Sequence, residues 1–221
     1  MTGVLVVLVV ANVLSNRVLP AWAYVPWNAS VAISIVLIAR RALTLPQMGF
    51  TEWRSGARWG GALFAATAVV LMIGLAIPVF HQMFHDRRVS DGTWTWFYQA
   101  FIRIPFGTAL LEETAFRAVL PALFAARWGV LRGSVLASMW FGLWHVLPAL
   151  DLRHFNPQAG RWLGNGLTGQ LLGITFAVVG TALAGLWWCW VRYRSRSILS
   201  TIVGHVASNS IAYTIAFIIS R

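Results

Sequence analysis

Apolar runs long enough to enter a bilayer alternate with short polar links along this chain. The first run, 4–14, ends at Ser15-Asn16-Arg17 and Pro20. Residues 28–39 form a second, with Asn28-Ala29-Ser30 as its predicted cap. A polar link at 40–58 follows, where Thr51-Glu52-Trp53 reads as the start of a short interfacial helix capped by Thr51. A third run extends from Gly60 to about Phe80, a fourth over 96–126, a fifth over 133–149, a sixth over 166–190 and a last over 197–219. A hydrocarbon core needs about 20 residues per helix. The fourth run exceeds one crossing, and Pro105 and Gly107 are predicted to break or kink it. In the sixth, Gly169 and Gly173 are spaced for close helix contact.

The pattern predicts an all-α, polytopic transmembrane bundle of about seven spans. No polar stretch is long enough for a separate soluble domain, so residues 1–221 read as a single integral membrane domain. A hydrophobic content of 58% against 10% charged residues agrees. Val4–Val10 and Ala21-Trp22-Ala23 imitate a signal peptide, but no basic side chain precedes them, and a retained first segment is expected.

The formal net charge of +11 comes from 17 arginines and no lysine. They are spread over the links, which points to membrane orientation rather than nucleic acid. An N-terminus on the cytoplasmic side puts nine arginines inside (40, 41, 54, 58, 127, 132, 192, 194, 196). It leaves six outside (17, 87, 88, 153, 161, 221). The single cysteine, Cys189, excludes an intramolecular disulfide and reads as a buried or lipid-facing thiol. The polar loop 81–95, with His81, His85, Asp86, Arg87, Arg88 and Asp91, reads as a solvated connection rather than a metal site.

Against this background Leu111-Glu112-Glu113-Thr114-Ala115-Phe116-Arg117 stands out. An ionisable residue at a membrane centre costs about 2.5–3.5 kcal/mol and marks a functional site. Glu113 and Arg117 are four apart, in the acid-first order that favours a pair. Glu112 is rotated by about 100° from Glu113 and faces another neighbour. Three more polar groups interrupt apolar spans: His145, four residues after Phe141, and His205 with Asn209, which share a helix face. Singly, such residues are often interhelical hydrogen bonds. Together they hold the parts of a hydrolase: a carboxylate base, an imidazole to polarise water, and a His–Asn pair to meet an oxyanion. Glu112, His145 and His205 are equally a ligand set for Zn²⁺, with water as the fourth ligand.

The ordered trio Glu112-Glu113-x-x-x-Arg117, Phe141-x-x-x-His145 and His205-x-x-x-Asn209 resembles the signature of the CPBP (Abi) intramembrane proteases, which include the type II CAAX prenyl endopeptidases. The resemblance covers roughly 96–213. Ala118 stands where that signature usually has glycine. The resemblance implies an intramembrane endopeptidase with Glu112 as the base activating water, assisted by His145. It implies that His205 and Asn209 stabilise the oxyanion, and that Glu113, Arg117 and Phe141 support them. It implies a membrane protein or lipidated peptide as substrate, CAAX-like or otherwise, in the bilayer of a bacterial cytoplasmic membrane. Such enzymes have been described as metalloproteases and as glutamate proteases. The His–Asn spacing favours the metal-free form, with zinc as the alternative. Two other classes fit the same fold: a non-catalytic scaffold or bacteriocin-immunity protein, and a small proton-coupled transporter.

Overall fold

The computed structural model describes residues 1–87, 89, 92–164 and 166–221. Of the polar loop expected at 81–95, Arg88 and Asp91 lie outside the described residues. Among the described residues the chain is helical, and its extended pairing is an isolated antiparallel bridge between Phe50 and Ser197. The main helices are α1 (Thr2–Val13), α2 (Tyr24–Ala39), α3 (Trp53–Ala76), α4 (93–128), α5 (Val130–Trp144), α6 (Gly166–Ser195) and α7 (Ile198–Ile219).

Five stretches are long and apolar enough to cross a membrane: 21–39, 53–76, 130–149, 166–195 and 198–219. They correspond to the second, third, fifth, sixth and last expected spans. The first corresponds to a shorter apolar helix, Thr2–Val18. The fourth is α4, which carries Arg103, Glu112, Glu113, Arg117 and Arg127. Only 6% of the apolar window of α3 and 11% of that of α6 is buried, so both present their side chains outward, as lipid-facing helices do. The chain is an integral membrane protein.

Helix α4 is the element against which the others are arranged. Helices α2 and α7 pack on its first half and α5 on its last turns, while α6 covers α5 and α3 covers α7. The expected break at Pro105 does not occur. The chain continues through it with π winding over Gln99–Ala109, one α turn at Leu110–Glu113, π winding again over Thr114–Val119, and α-helix to Trp128. In a π register each N–H bonds the carbonyl five residues back. Pro105 has no N–H, so the acceptor left over is Ala100. Ser210 of α7 supplies the missing donor: its Oγ donates to the Ala100 carbonyl at 2.7 Å, and Ala100 is buried. A proline that would end an ordinary helix is tolerated because a neighbouring hydroxyl satisfies the freed carbonyl.

Other local expectations also change. Asn28 does not cap α2, which starts earlier; it is buried, and its Nδ2 donates to the Gly107 carbonyl at 2.9 Å. The N-cap of α3 is Glu52, without a side-chain cap bond, and α3 is continuous through Gly60. The capping signal lies upstream: Thr44 and Gln47 form a reciprocal capping box on the short helix Leu45–Met48. Gly49 ends that helix at φ 84°, a left-handed conformation glycine adopts without strain. The Gly49 carbonyl then accepts from Ile198 N at 2.9 Å, pinning the first turn of α7. Gly169 approaches the backbone of Leu163 and Gly164 rather than another span. Arg192, which the sequence places in a link between spans, is buried in α6, and its guanidinium donates to the Gln47 carbonyl.

The π winding predicts an effect of a residue far from any ionisable group. Ser210→Ala leaves a buried carbonyl without a donor and is expected to cost about 1–3 kcal/mol. Thermal unfolding in detergent measures this, with Ser30→Ala, an exposed serine bonded within its own helix, as the neutral control. Equal midpoints for the two variants would contradict the account of Pro105.

Candidate active site

The single α turn Leu110–Glu113 sits between the two π segments of α4, and every residue from Leu111 to Leu120 is buried. Glu113 and Arg117 have no exposed surface, while Glu112 and His205 are each 7% exposed. Charge in such surroundings needs partners. Glu113 divides its carboxylate between two of them. Oε2 lies 3.3 Å from Arg117 Nε, and Oε1 accepts from His205 Nδ1 at 2.7 Å. The Arg117 guanidinium also lies 3.9 Å over the Phe141 ring. Its nitrogens make no hydrogen bond among the described residues, so charge and ring contact hold it.

Glu112 occupies the other side of the same imidazole. Its Oε2 is 3.8 Å from His205 Nε2, beyond direct hydrogen-bond range. Its Oε1 accepts from the Trp144 indole N–H at 3.1 Å. The sequence assigns Glu113 to Arg117 and leaves His205 to Glu112. The geometry differs, because one imidazole has two nitrogens and meets both carboxylates, with Glu113 the closer. Helix α7 delivers His205 by close approach at the preceding residue: a Cβ on Gly204 would lie 2.6 Å from the Trp188 ring.

His145 ends α5 with φ −85° and ψ 0°. Its Nδ1 lies 2.8 Å from the Phe141 carbonyl, and its ring packs edge-on against Phe141, centroids 4.6 Å apart. A carbonyl only accepts, so Nδ1 carries the hydrogen and Nε2 of the neutral ring keeps its lone pair. Among the described residues Glu112 forms no hydrogen bond or ion pair with His145 or Asn209; its indole donor is Trp144, beside His145 in the chain. Asn209 lines a cavity of about 400 Å³ together with Gln99, Arg103 and Thr108 of α4. The structure thus brings Glu112, Glu113, Arg117, Phe141 and His205 into one contact chain. His145 borders it through Phe141, and Asn209 stands at the cavity wall.

Trp144 is the site residue that motif reading misses. Its signal is an indole N–H in an apolar helix, a donor that has to find a partner when buried. Asn12 of α1 is also outside the motif reading: its Nδ2 donates to the Trp144 carbonyl at 3.0 Å and holds the end of α5.

The three residues of the alternative zinc set, Glu112, His145 and His205, lie as follows. Glu112 and His205 face each other, but His145 is tied back to its own helix. Among the described residues no group of three or more His, Cys, Asp or Glu side chains is placed to hold a metal ion. That includes His81 and His85, whose rings stack edge-on 5.6 Å apart. Cys189 is buried, with its thiol 3.6 Å from the Phe116 carbonyl.

Comparison with curated proteins and with solved structures gave no match. The family described as Type II CAAX prenyl endopeptidase Rce1-like matches residues 93–211, more than half of the 221-residue chain. The matched stretch opens with α4 and closes inside α7, so it contains Glu112, Glu113, Arg117, His145, His205 and Asn209. On that match the chain belongs to the Rce1-like family of type II CAAX prenyl endopeptidases.

Proposed function

We propose that the protein is an endopeptidase that hydrolyses a peptide bond of a membrane-associated, CAAX-like substrate with water activated by Glu112 and without a bound metal. The observation that carries this reading is the placement of His205 between two buried carboxylates, 2.7 Å from Glu113 and 3.8 Å from Glu112. The longer gap is of the kind that a water or a reacting oxygen occupies. Glu112 takes a proton from water, and the hydroxide adds to the scissile carbonyl carbon. His145, with its Nε2 lone pair, assists in holding that water. The carbonyl oxygen becomes an oxyanion, which the Asn209 amide and His205 Nε2–H meet when the ring carries both protons. As the intermediate collapses, the C–N bond breaks and the proton held by Glu112 passes to the leaving amine.

Glu113 and Arg117 are positioning residues in this reading. Glu113 fixes the His205 tautomer by accepting from Nδ1, as a carboxylate orients a catalytic imidazole elsewhere. Arg117 balances the charge of Glu113, and Phe141 holds Arg117 and His145. Trp144 aims the Glu112 carboxylate through its indole N–H.

The test is turnover of an internally quenched peptide carrying S-farnesylcysteine, with purified protein in detergent. Glu112→Gln is expected to lower kcat by about 10²–10⁴-fold, the range for a lost general base. Trp144→Phe removes a hydrogen bond to a charged group worth about 1.5–3 kcal/mol and is expected to lower kcat by about 10–100-fold. A Glu112→Gln protein with wild-type kcat would defeat the proposal. Elemental analysis of the same preparation is expected to show sub-stoichiometric zinc. Stoichiometric zinc whose removal abolishes turnover would replace the mechanism with a metal-assisted one.

A further inference from the structure

Arg192 is a buried cation that the hydrolytic steps do not use. It lies near the end of α6 and is 4% exposed. Its guanidinium lies 4.4 Å over the Tyr193 ring and donates to the Gln47 carbonyl. Among the described residues it forms no ion pair, and its Nε has no acceptor. Arginine keeps its charge in a protein, and a buried charge without a counter-charge is costly. Such a residue is completed by an anion from outside the chain.

A place for that anion lies beside it. Arg192, Tyr193 and Gln47 line a cavity of about 310 Å³ where the link after α2, the last turns of α4 and the end of α6 meet. The polar side chains of this wall offer donors. Gln47 spends its amide oxygen on Thr44 and keeps its amide hydrogens, and the Tyr193 phenol has a hydrogen to give. Among the described residues no carboxylate lines the cavity. The rest of the wall is apolar. Ala122, Ala125 and Ala126 stand at i, i+3 and i+4 on one face of α4, and their small side chains leave the space open. The surroundings carry the same sign of charge. Arg40, Arg41, Arg127, Arg132, Arg194 and Arg196 flank the segments that meet here, and all are exposed. The acidic residue in these links is Glu52.

We propose that this cavity binds the phosphate of an anionic phospholipid, with Arg192 as its central donor. A free phosphate would use the same donors. The apolar wall favours the lipid, and so does the position at the helix ends, where basic pockets meet headgroups. An apolar hollow of about 400 Å³, lined by Trp128, Leu131 and Val135, begins beside Val130 of the cavity wall and suits an acyl chain. A phosphate held there ties the clasp at Leu45–Gly49, which pins α7, to the last turns of α4. The inference is independent of the peptidase reading.

The test is native mass spectrometry of the full-length protein in a neutral detergent. The protein is offered an equimolar mixture of phosphatidylglycerol and phosphatidylcholine with the same acyl chains. Both carry a phosphodiester, and in the second the choline cation cancels its charge. Phosphatidylglycerol is expected to be retained about tenfold more than phosphatidylcholine, the strength of one charge-assisted contact. Arg192→Gln is expected to bring the two to parity. That variant also gives up the bond to Gln47, so Ala126→Leu, which fills the cavity and keeps the charge, is the second variant and is expected to do the same. Arg194→Gln, which removes an exposed cation outside the cavity wall, is expected to keep the preference. Excess inorganic phosphate is expected to leave the lipid in place. Equal retention of the two lipids by the wild type would overturn the proposal without any variant. Equal loss of preference in Arg192→Gln and Arg194→Gln would reduce it to diffuse attraction and overturn it as well. Displacement by inorganic phosphate would give the site to free phosphate and overturn the lipid assignment.

Discussion

The hydrogen bond between Glu113 and His205, 2.7 Å long and buried between α4 and α7, is the interaction on which the rest depends. It joins the middle of α4 to α7, and it commits Glu113, Arg117 and His205 to the same buried volume. Each ionisable group there costs about 2.5–3.5 kcal/mol to place at a membrane centre unless it is compensated. The compensation is collective. Arg117 lies 3.3 Å from Glu113 and 3.9 Å above Phe141, while Trp144 gives its indole hydrogen to Glu112. Removing one member leaves the others buried and unbalanced, which costs more than the pair contributed. Such an arrangement persists only where the surrounding helices are held firmly. Here the Thr44–Gly49 clasp holds the start of α7, the contact of Gly204 with Trp188 sets its depth, and Asn12 holds the end of α5.

The winding of α4 follows from the same demand. A proline twelve residues before Arg117 and two adjacent glutamates would suit a helix that breaks. Instead the helix loosens into π turns on either side of the glutamates, and Ser210 satisfies the carbonyl that Pro105 leaves. The loosened winding turns Gln99, Arg103 and Thr108 towards the cavity that Asn209 lines. Scaffold and site are therefore not separable in this chain: the device that keeps the backbone satisfied also decides which side chains face the cavity.

Much of this was legible in the sequence. Apolar runs and arginine-bearing links locate the spans because lipid admits few other solutions for a backbone. The i, i+4 spacing of Glu113 with Arg117 predicts their pair. The ordered acidic, Phe–His and His–Asn motifs lead to the family that the match at 93–211 shows. What was not legible depends on contacts between distant segments. Asn28 reads as a cap, but its amide is needed by Gly107, 79 residues away. Trp144 reads as a membrane aromatic until Glu112 is placed beside it. The split of labour between the two glutamates was also drawn too cleanly, because His205 contacts both.

The central claim is that the carboxylate of Glu112, set against His205 inside the bundle, cuts peptide bonds in membrane-associated proteins. Mass spectrometry of membrane-protein C-termini, in otherwise identical cells carrying the wild type or Glu112→Gln, tests it most directly. The account predicts a set of shortened C-termini that is present with the wild type and absent with the variant, at equal protein levels in the membrane. Identical termini in the two strains across growth conditions would contradict it.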